Sequence, residues 1–473
     1  MNVKIVIEAL RPDQIIEISE IVGRILWEQG IIVNETDVCS FFSGKGAKVS
    51  GSTVHIPKEM LNQALDSVPK QYTLHSRNPE KCVTVGLGFP VLINPNSGMS
   101  FIQDVDGSRR PGSMEDLVKL LKLNHTSKVT GITNAGLLYP SVGIDPGDAK
   151  YLQMIYALTY SDKPFFSQGI DESYGKAAIE LAQIATGYRD RPVCMSVVNS
   201  LSPMAWDSKM LGMIRLFAQE NQPLNISSSS MIGATSPLCL TSAVITAFAE
   251  GLFGVVYSQL VRPGAPVVLG AFPGVMDMRF MRMSYGAPEF SMLCAAGAQM
   301  ASHYKIPYRG GGALTSAQVT GAQSGMESTF GMMFALNSDV HYMHQSIGTL
   351  DSILAASMEK FVMDEEIVAR IMHIKRGMGE VEDDFTEVLQ EGVADRSFLA
   401  LESTVRNFRE TIFTPEFCNN CTYDVWMEKK TSNEELAHKA VEKRLAEYVE
   451  PDIGTDIKEQ MKRYALKEGA KFV

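Results

Sequence analysis

KVTGITN (128–134), PFFSQG (164–169), PVCMSVVNS (192–200), PLNISSSS (223–230), APVVLGAF (265–272), IPYRGGG (306–312) and DVHYMHQ (339–345) repeat one unit along the chain. Each is a short apolar run that stops at a Gly-, Asn- or Ser-rich breaker and leads into a longer amphipathic stretch. An earlier run, SFIQDV (100–105), precedes SMEDLVKLLKL (113–123) and heads the series. Short apolar strands alternating with helices predict a parallel sheet covered by helices. Eight such units predict an α/β fold of the (β/α)8 TIM-barrel type over residues 95–376. Helices are expected near 113–123, 147–160, 173–187, 207–220, 239–261, 288–304, 321–337 and 358–376. Asp207 is placed to cap one start, and Pro288 sits in the first turn of another. In such barrels the chemistry lies at the C-terminal strand ends.

The chain of 473 residues exceeds a barrel of about 250. The remainder divides into an N-terminal α+β cap region (1–94) and a C-terminal helical extension (377–473). The cap begins with an amphipathic helix over 10–30, with Ile15, Ile18, Val22, Ile25 and Leu26 on one face and a Gly stop. A net charge of −11 argues against a nucleic-acid surface, which needs a basic stripe. No run of 18 uninterrupted apolar residues predicts a membrane span. The opening MNVKIVIEALRPDQ turns acidic too early for a signal peptide. A cytoplasmic protein, away from the membrane and homo-oligomeric, is expected. The seven cysteines are an odd, scattered set, not a disulfide framework. Cys418 and Cys421 form one CxxC without a second pair or an HxxxH, so no metal site is expected.

The usual catalytic motifs are absent: no GxSxG elbow, HExxH or Walker A occurs. Gly310–Gly312 follows a strand but lacks the Lys-Ser/Thr of a phosphate loop, which favours a simple close approach of backbone. The strand ends are polar and mostly neutral: Asn134, Gln168, Asn199, Ser200, Ser227–Ser230 and Gln345. The exceptions, Arg309 and His344, fall on neighbouring strands at one rim and form a natural anion clamp for a carboxylate. The competing reading pairs Arg309 with Asp339 or Asp104 and makes His344 an ordinary hydrogen-bonded histidine. Phe165, Phe166, Phe272, Tyr308 and Tyr342 lie close to these ends, and strand alternation sends only half of them inward. An inward aromatic can face a quaternary ammonium by cation–π attraction. The candidate substrate-binding set is Arg309, His344, Gln345, Asn199, Gln168, Phe272 and Tyr308. No catalytic residue is assigned. Glu250, in the middle of an apolar helix, reads first as a structural partner and second as a catalytic group.

Several long stretches carry a resemblance. ILWEQGIIVNE, HIPKEMLNQALDSVP, YTLHSRNPE, GSRRPGSMEDLVKLLKL (107–123), SSMIGATSPLCLTSAVITAFAEGLFGVVYSQLVRPGAPVVLGAF (229–272), LTSAQVTGAQSGMES (314–328) and LDSILAASMEKFVMDEEIVARI (350–371) resemble, in order and spacing, the trimethylamine methyltransferase family. The likeness is greatest to members that lack pyrrolysine and demethylate quaternary amines such as glycine betaine. It implies a (β/α)8 barrel that passes a substrate methyl group to the cob(I)alamin of a separate corrinoid protein, with no cofactor tightly bound to this chain. Trimethylamine enzymes of the family place pyrrolysine just before the AQ-containing helix. The matching segment here, Leu314–Gln318, holds no lysine-like residue, which favours a quaternary amine. The alternatives are the same chemistry on proline betaine, carnitine, γ-butyrobetaine or a tertiary methylamine. Outside that chemistry stand a barrel lyase or isomerase with His344 as base, and a non-catalytic betaine-binding protein.

Overall fold

A computed structural model describes residues 5–228, 230–271, 273–380 and 384–472. The protein is an α/β fold rich in helices. Eight parallel strands carry its centre: β1 (Leu92–Ile93), β2 (Thr133–Asn134), β3 (Phe165–Phe166), β4 (Cys194–Asn199), β5 (Leu224–Ser227), β6 (Val267–Gly270), β7 (Arg309–Gly310) and β8 (Tyr342–Met343). Strands β2 to β6 form one sheet in chain order, and β7, β8 and β1 form a second. A parallel bridge between Leu269 and Tyr308 connects β6 to the start of β7. On the opposite side, Gly131 N donates to Ile93 O at 3.1 Å, just before β2.

The first of the expected strands is displaced. SFIQDV does form a strand, Phe101–Gln103, but it pairs antiparallel with Arg109–Pro111 and parallel with Ala355–Ala356. It belongs to a small sheet above the strand ends. The parallel position beside β8 is taken by Leu92–Ile93, with Tyr342 opposite Leu92 and Met343 opposite Ile93. Both stretches are short apolar runs ending in polar residues. Only the pairing to a strand some 250 residues away chooses between them.

One helix follows each strand: Met114–Thr126, Pro146–Tyr160, Glu172–Thr186, Ser208–Gln219, Leu240–Val261, Pro288–Tyr304, Ala322–Leu336 and Met358–Lys375. Local chemistry sets several of their starts. Ser113 and Asp116 form a capping box, Asp171 accepts from Tyr174 N, Asp207 accepts from Met210 N, and Pro288 opens its helix. Leu240–Val261 is long and apolar enough to cross a membrane, yet it is mostly buried within the protein. Glu250 at its centre is fully buried.

Two hydrophobic clusters separate the faces of the strands. Phe165, Cys194, Val198, Leu224, Ile226, Leu269 and Tyr308 join the main core with the helices. Phe166, Met195, Val197, Val268 and Tyr342 form a second cluster with Leu92 and Ile132. Tyr72, Leu74 and Val85 of the hairpin Gln71–Leu74/Val83–Gly86 complete this inner cluster. The period-2 alternation of strands thus sends one member of each neighbouring pair inward.

The N-terminal segment packs on the same body. Strand Ile31–Val33 pairs parallel with Ala205–Trp206, in the loop after β4. Helix Asn433–Ala446 lies against Met358–Lys375, where Arg444 pairs with Glu365 and His438 with Glu359.

Candidate active site

The polar residues of the inner face begin where the inner apolar cluster ends. Tyr342 is inward on β8, and His344 follows two residues later on the same side. The His344 ring lies 5.0 Å from the Phe166 ring and 5.9 Å from the Tyr342 ring. Its Nδ1 is 3.0 Å from Asn94 Nδ2 and 3.1 Å from the Tyr342 hydroxyl. Burial first, and the positive charge of Arg309 second, hold its pKa well below the usual histidine value. The imidazole is therefore neutral at physiological pH.

A chain of hydrogen bonds decides which nitrogen carries its proton. Gly136 N is a backbone donor, and it donates to Asn134 Oδ1 at 2.8 Å. That orients the Asn134 amide, whose Nδ2 donates to Asn94 Oδ1 at 3.1 Å. Asn94 is oriented in turn, and its Nδ2 faces His344 Nδ1 as a donor. Nδ1 must accept, so the proton sits on Nε2. A neutral imidazole in this tautomer presents an N–H donor on its remaining side, which suits an anionic oxygen.

Gln168 and Gln345 join the same network. Gln168 Nε2 donates to Ser97 Oγ at 2.6 Å and to Asn134 Oδ1 at 3.2 Å. Gln345, with a left-handed φ of 59°, donates through Nε2 to Ser97 O at 3.0 Å. Segment 94–97, which directly follows β1, is thus the hub. The sequence pattern does not single it out, because SFIQDV offers an equivalent first strand. The signal was present in VLINPNS (91–97), an apolar run ending in two asparagines like the other strand ends.

Arg309 occupies the inner face of β7. It is half-buried, and burial lowers its guanidinium pKa from the ordinary value, against the influence of Tyr285, Tyr342 and Tyr308. Asp104, one of the competing partners, is bound instead to Arg110 at 2.7 Å. Gly270 makes room for the arginine. A Cβ at Gly270 would stand 3.1 Å from Arg309 Cδ, 2.9 Å from Asn225 Oδ1 and 2.2 Å from Ser227 Oγ.

The remaining candidates fall elsewhere. Tyr308 is turned outward and fully buried. Its hydroxyl would be 1.8 Å from a Cβ on Gly297, in the helix Pro288–Tyr304, so it packs on the helical layer and is withdrawn from the substrate-binding set. Asn199 ends β4 with an exposed side chain, and no hydrogen bond joins it to the network among the described residues. Phe272 lies outside the described residues. Glu250 does hold structure, by pinning loops. Its carboxylate accepts from Ser200, Ser202 and Ser228 hydroxyls at 2.5, 2.6 and 2.8 Å and from Met204 N at 2.8 Å. Cys418 and Cys421 are exposed thiols, and no group of three or more metal-ligating side chains converges among the described residues.

Loops from distant units meet above the strand ends. Asp351, nearly buried, accepts from Arg109 Nη1 at 2.5 Å and Arg282 Nη2 at 2.8 Å. These arginines come from the loops after β1 and β6, and Asp351 from the loop after β8.

The profile of the family described as "Trimethylamine methyltransferase (MTTB)" matches residues 2–472. The chain belongs to the trimethylamine methyltransferase family. With that it is an enzyme of the methyltransferase class. It is 32% identical over 466 residues to a glycine betaine methyltransferase of Desulfitobacterium hafniense (strain Y51), covering 97% of each chain. It is 30% identical to an L-carnitine:corrinoid methyltransferase of Eubacterium limosum, covering 95% of this chain and 97% of that one. A proline betaine:corrinoid methyltransferase of the same organism is 29% identical, with 95% of each covered. Among solved structures, the hydroxylamine complex of MtmB shares the fold with a TM-score of 0.54 and 13% identity, over 94% of this chain and 90% of that one.

The segment that carries pyrrolysine in trimethylamine enzymes of the family is held by a carboxylate in this member. Glu327 Oε2 accepts from Thr315 Oγ1 at 2.5 Å and Ser316 N at 2.8 Å. Leu314, Thr315 and Ala317 are buried, while Ser316 is half-buried and Gln318 exposed.

Proposed function

We propose that the protein moves a methyl group from a carboxylate-bearing quaternary amine, glycine betaine first, to the cob(I)alamin of a cognate corrinoid protein. The observation that carries this reading is the pairing of Arg309 with a neutral His344 whose Nε2–H is set as a donor. Together they form a cationic, donor-only clamp at the strand ends, suited to a carboxylate. The Phe166 and Tyr342 rings beside it offer π faces to an ammonium. The relatives named for glycine betaine, carnitine and proline betaine support the same class of substrate.

The chemistry asks little of general acids or bases. Cobalt(I) on the partner supplies the electron pair for the new Co–CH3 bond. The N–CH3 pair stays on nitrogen, so the demethylated product leaves with a neutral tertiary nitrogen and its carboxylate, without needing protonation. What this chain contributes is positioning: the clamp fixes the carboxylate, the rings steady the ammonium, and one methyl is aimed at the open strand ends. His344 has no proton to move in this scheme, and its low pKa keeps it a hydrogen-bond donor without charge. We assign substrate binding to Arg309, His344, Gln168 and Gln345, and leave Asn199 at the rim.

The same reading takes the two parallel sheets as one closed (β/α)8 barrel. The Leu269–Tyr308 bridge, the Gly131–Ile93 hydrogen bond and the separate inner cluster support closure. The cap, barrel and helical extension remain the proposed division, with the cap now ending before Leu92. A soluble, cytoplasmic homo-oligomer without a resident cofactor fits the reading.

A substrate panel with cob(I)alamin tests it, following methylcobalamin formation by absorbance. Glycine betaine, proline betaine and carnitine should react, and trimethylamine should not. Activity confined to trimethylamine, or lyase activity without methylcobalamin, overturns it.

A further inference from the structure

Strand β5 carries a polar side chain that the site described above does not use. Leu224 and Ile226 of this strand join the main core with the helices, so alternation turns Asn225 and Ser227 to the inner face. In register, Asn225 stands between Val197 of β4 and Val268 of β6, both in the inner apolar cluster. It is fully buried. Ser227 Oγ donates to Asn225 Oδ1 at 3.1 Å, and Asn225 Nδ2 has no hydrogen-bond partner among the described residues.

An unsatisfied amide donor between two valines costs folding free energy and returns none, unless something arrives to accept from it. The geometry says what could arrive. Asn225 Oδ1, Ser227 Oγ and Arg309 Cδ all pack closely around Gly270, 2.9, 2.2 and 3.1 Å from where its Cβ would stand. The Asn225 side-chain amide and the aliphatic part of Arg309 therefore pack against the same glycine, with the amide one layer deeper on the inner face. A group that accepts from both must be small, anionic and rich in lone pairs. A carboxylate fits, since one oxygen can take the guanidinium and the other the amide.

We infer that Asn225 is a substrate-binding residue that donates through Nδ2 to the carboxylate held by Arg309, selecting carboxylate-bearing amines over choline-like ones. This rests on the betaine reading above and adds a third donor to the clamp, beside Arg309 and His344.

The test is calorimetric titration of the full-length protein with glycine betaine and with choline, for wild type, Asn225→Ala, Asn225→Asp and Arg309→Ala. Loss of one hydrogen bond to a charged group should weaken betaine by about 10- to 100-fold in Asn225→Ala. Asn225→Asp, nearly the same shape, should weaken it further through carboxylate repulsion. Choline binding should stay within about twofold in both. Unchanged betaine affinity in Asn225→Ala while Arg309→Ala weakens it would sink the Asn225 assignment and leave the betaine reading standing. Tighter betaine binding in Asn225→Asp would place the ammonium at this amide and overturn the assignment too. Wild type that binds no betaine overturns both. A crystal structure of wild type with glycine betaine decides the matter even if the variants misfold. The inference requires a carboxylate oxygen within about 3.2 Å of Nδ2; a water there, with the carboxylate elsewhere, refutes it.

Discussion

Replacing Arg309 by alanine separates the clamp from the competing structural reading. Arg309 lies half-buried among Tyr285, Tyr308 and Tyr342, where a charge-assisted contact is worth more than at the surface. A hydrogen bond to a charged partner is worth roughly 1.5–3 kcal/mol, and a two-pronged guanidinium contact falls at the upper end of that range. Betaine affinity should fall by about one to two orders of magnitude. The same change removes the positive charge that helps depress His344, so the imidazole pKa should move up toward its usual value. Two assays read the two effects: titration with glycine betaine against choline, and NMR titration of the His344 ring. A variant that loses affinity for both ligands equally, with an unmoved His344 titration, would show that the arginine supports the strands' packing and holds no carboxylate.

Four further outcomes are expected. Gly270→Ala places a Cβ 2.2 Å from Ser227 Oγ, and should weaken betaine binding by tenfold or more while costing about 1–3 kcal/mol by overpacking, read by titration and urea melts. Lys360→Met leaves Asp364 buried without its partner at 2.6 Å, and should destabilise the fold by about 3–5 kcal/mol in denaturant titrations; a loss under 1 kcal/mol would contradict this. Stability should fall as pH drops below about 6.5. His344 has a pKa held well below the usual value, and His125 is lowered to about 4 by burial and then Lys81, so both take up protons in the unfolded chain that they do not hold in the folded one across that window, against the opposing share of buried Asp364, raised to about 6. The His125 share is about 3 kcal/mol when fully developed, and His125→Gln should remove about that much of the acid-induced loss. Asp351→Asn weakens the tie among the loops bearing Arg109 and Arg282; hydrogen exchange in 104–111 and 277–283 should rise, with betaine affinity changed little.

Much of the site was legible in the sequence because it follows from local pattern. Arg309 and His344 stand near the ends of two neighbouring recurring units, and the ends of β3 and β8 supply Gln168 and Gln345 by the same rule. Asn94 and Asn225 were not singled out, for different reasons. Asn94 follows one of two equivalent apolar runs, and nothing local distinguishes VLIN from SFIQ. Asn225 sits inside an apolar strand, where a single polar residue reads as noise until its neighbours are known to be Val197 and Val268.

By itself the sequence determined the alternation of strands and helices, the capped helix starts at Asp207 and Pro288, and the family. These depend on spacing within ten or twenty residues, or on order along the chain. Tertiary structure alone decided that Leu92–Ile93, not Phe101–Gln103, lies beside β8, that Tyr308 turns outward while Tyr342 turns inward, and that His344 carries its proton on Nε2. Each depends on contacts between residues far apart in the chain. A strand's period of two specifies that neighbours face opposite ways, but only the pairing of distant strands specifies which way is inside.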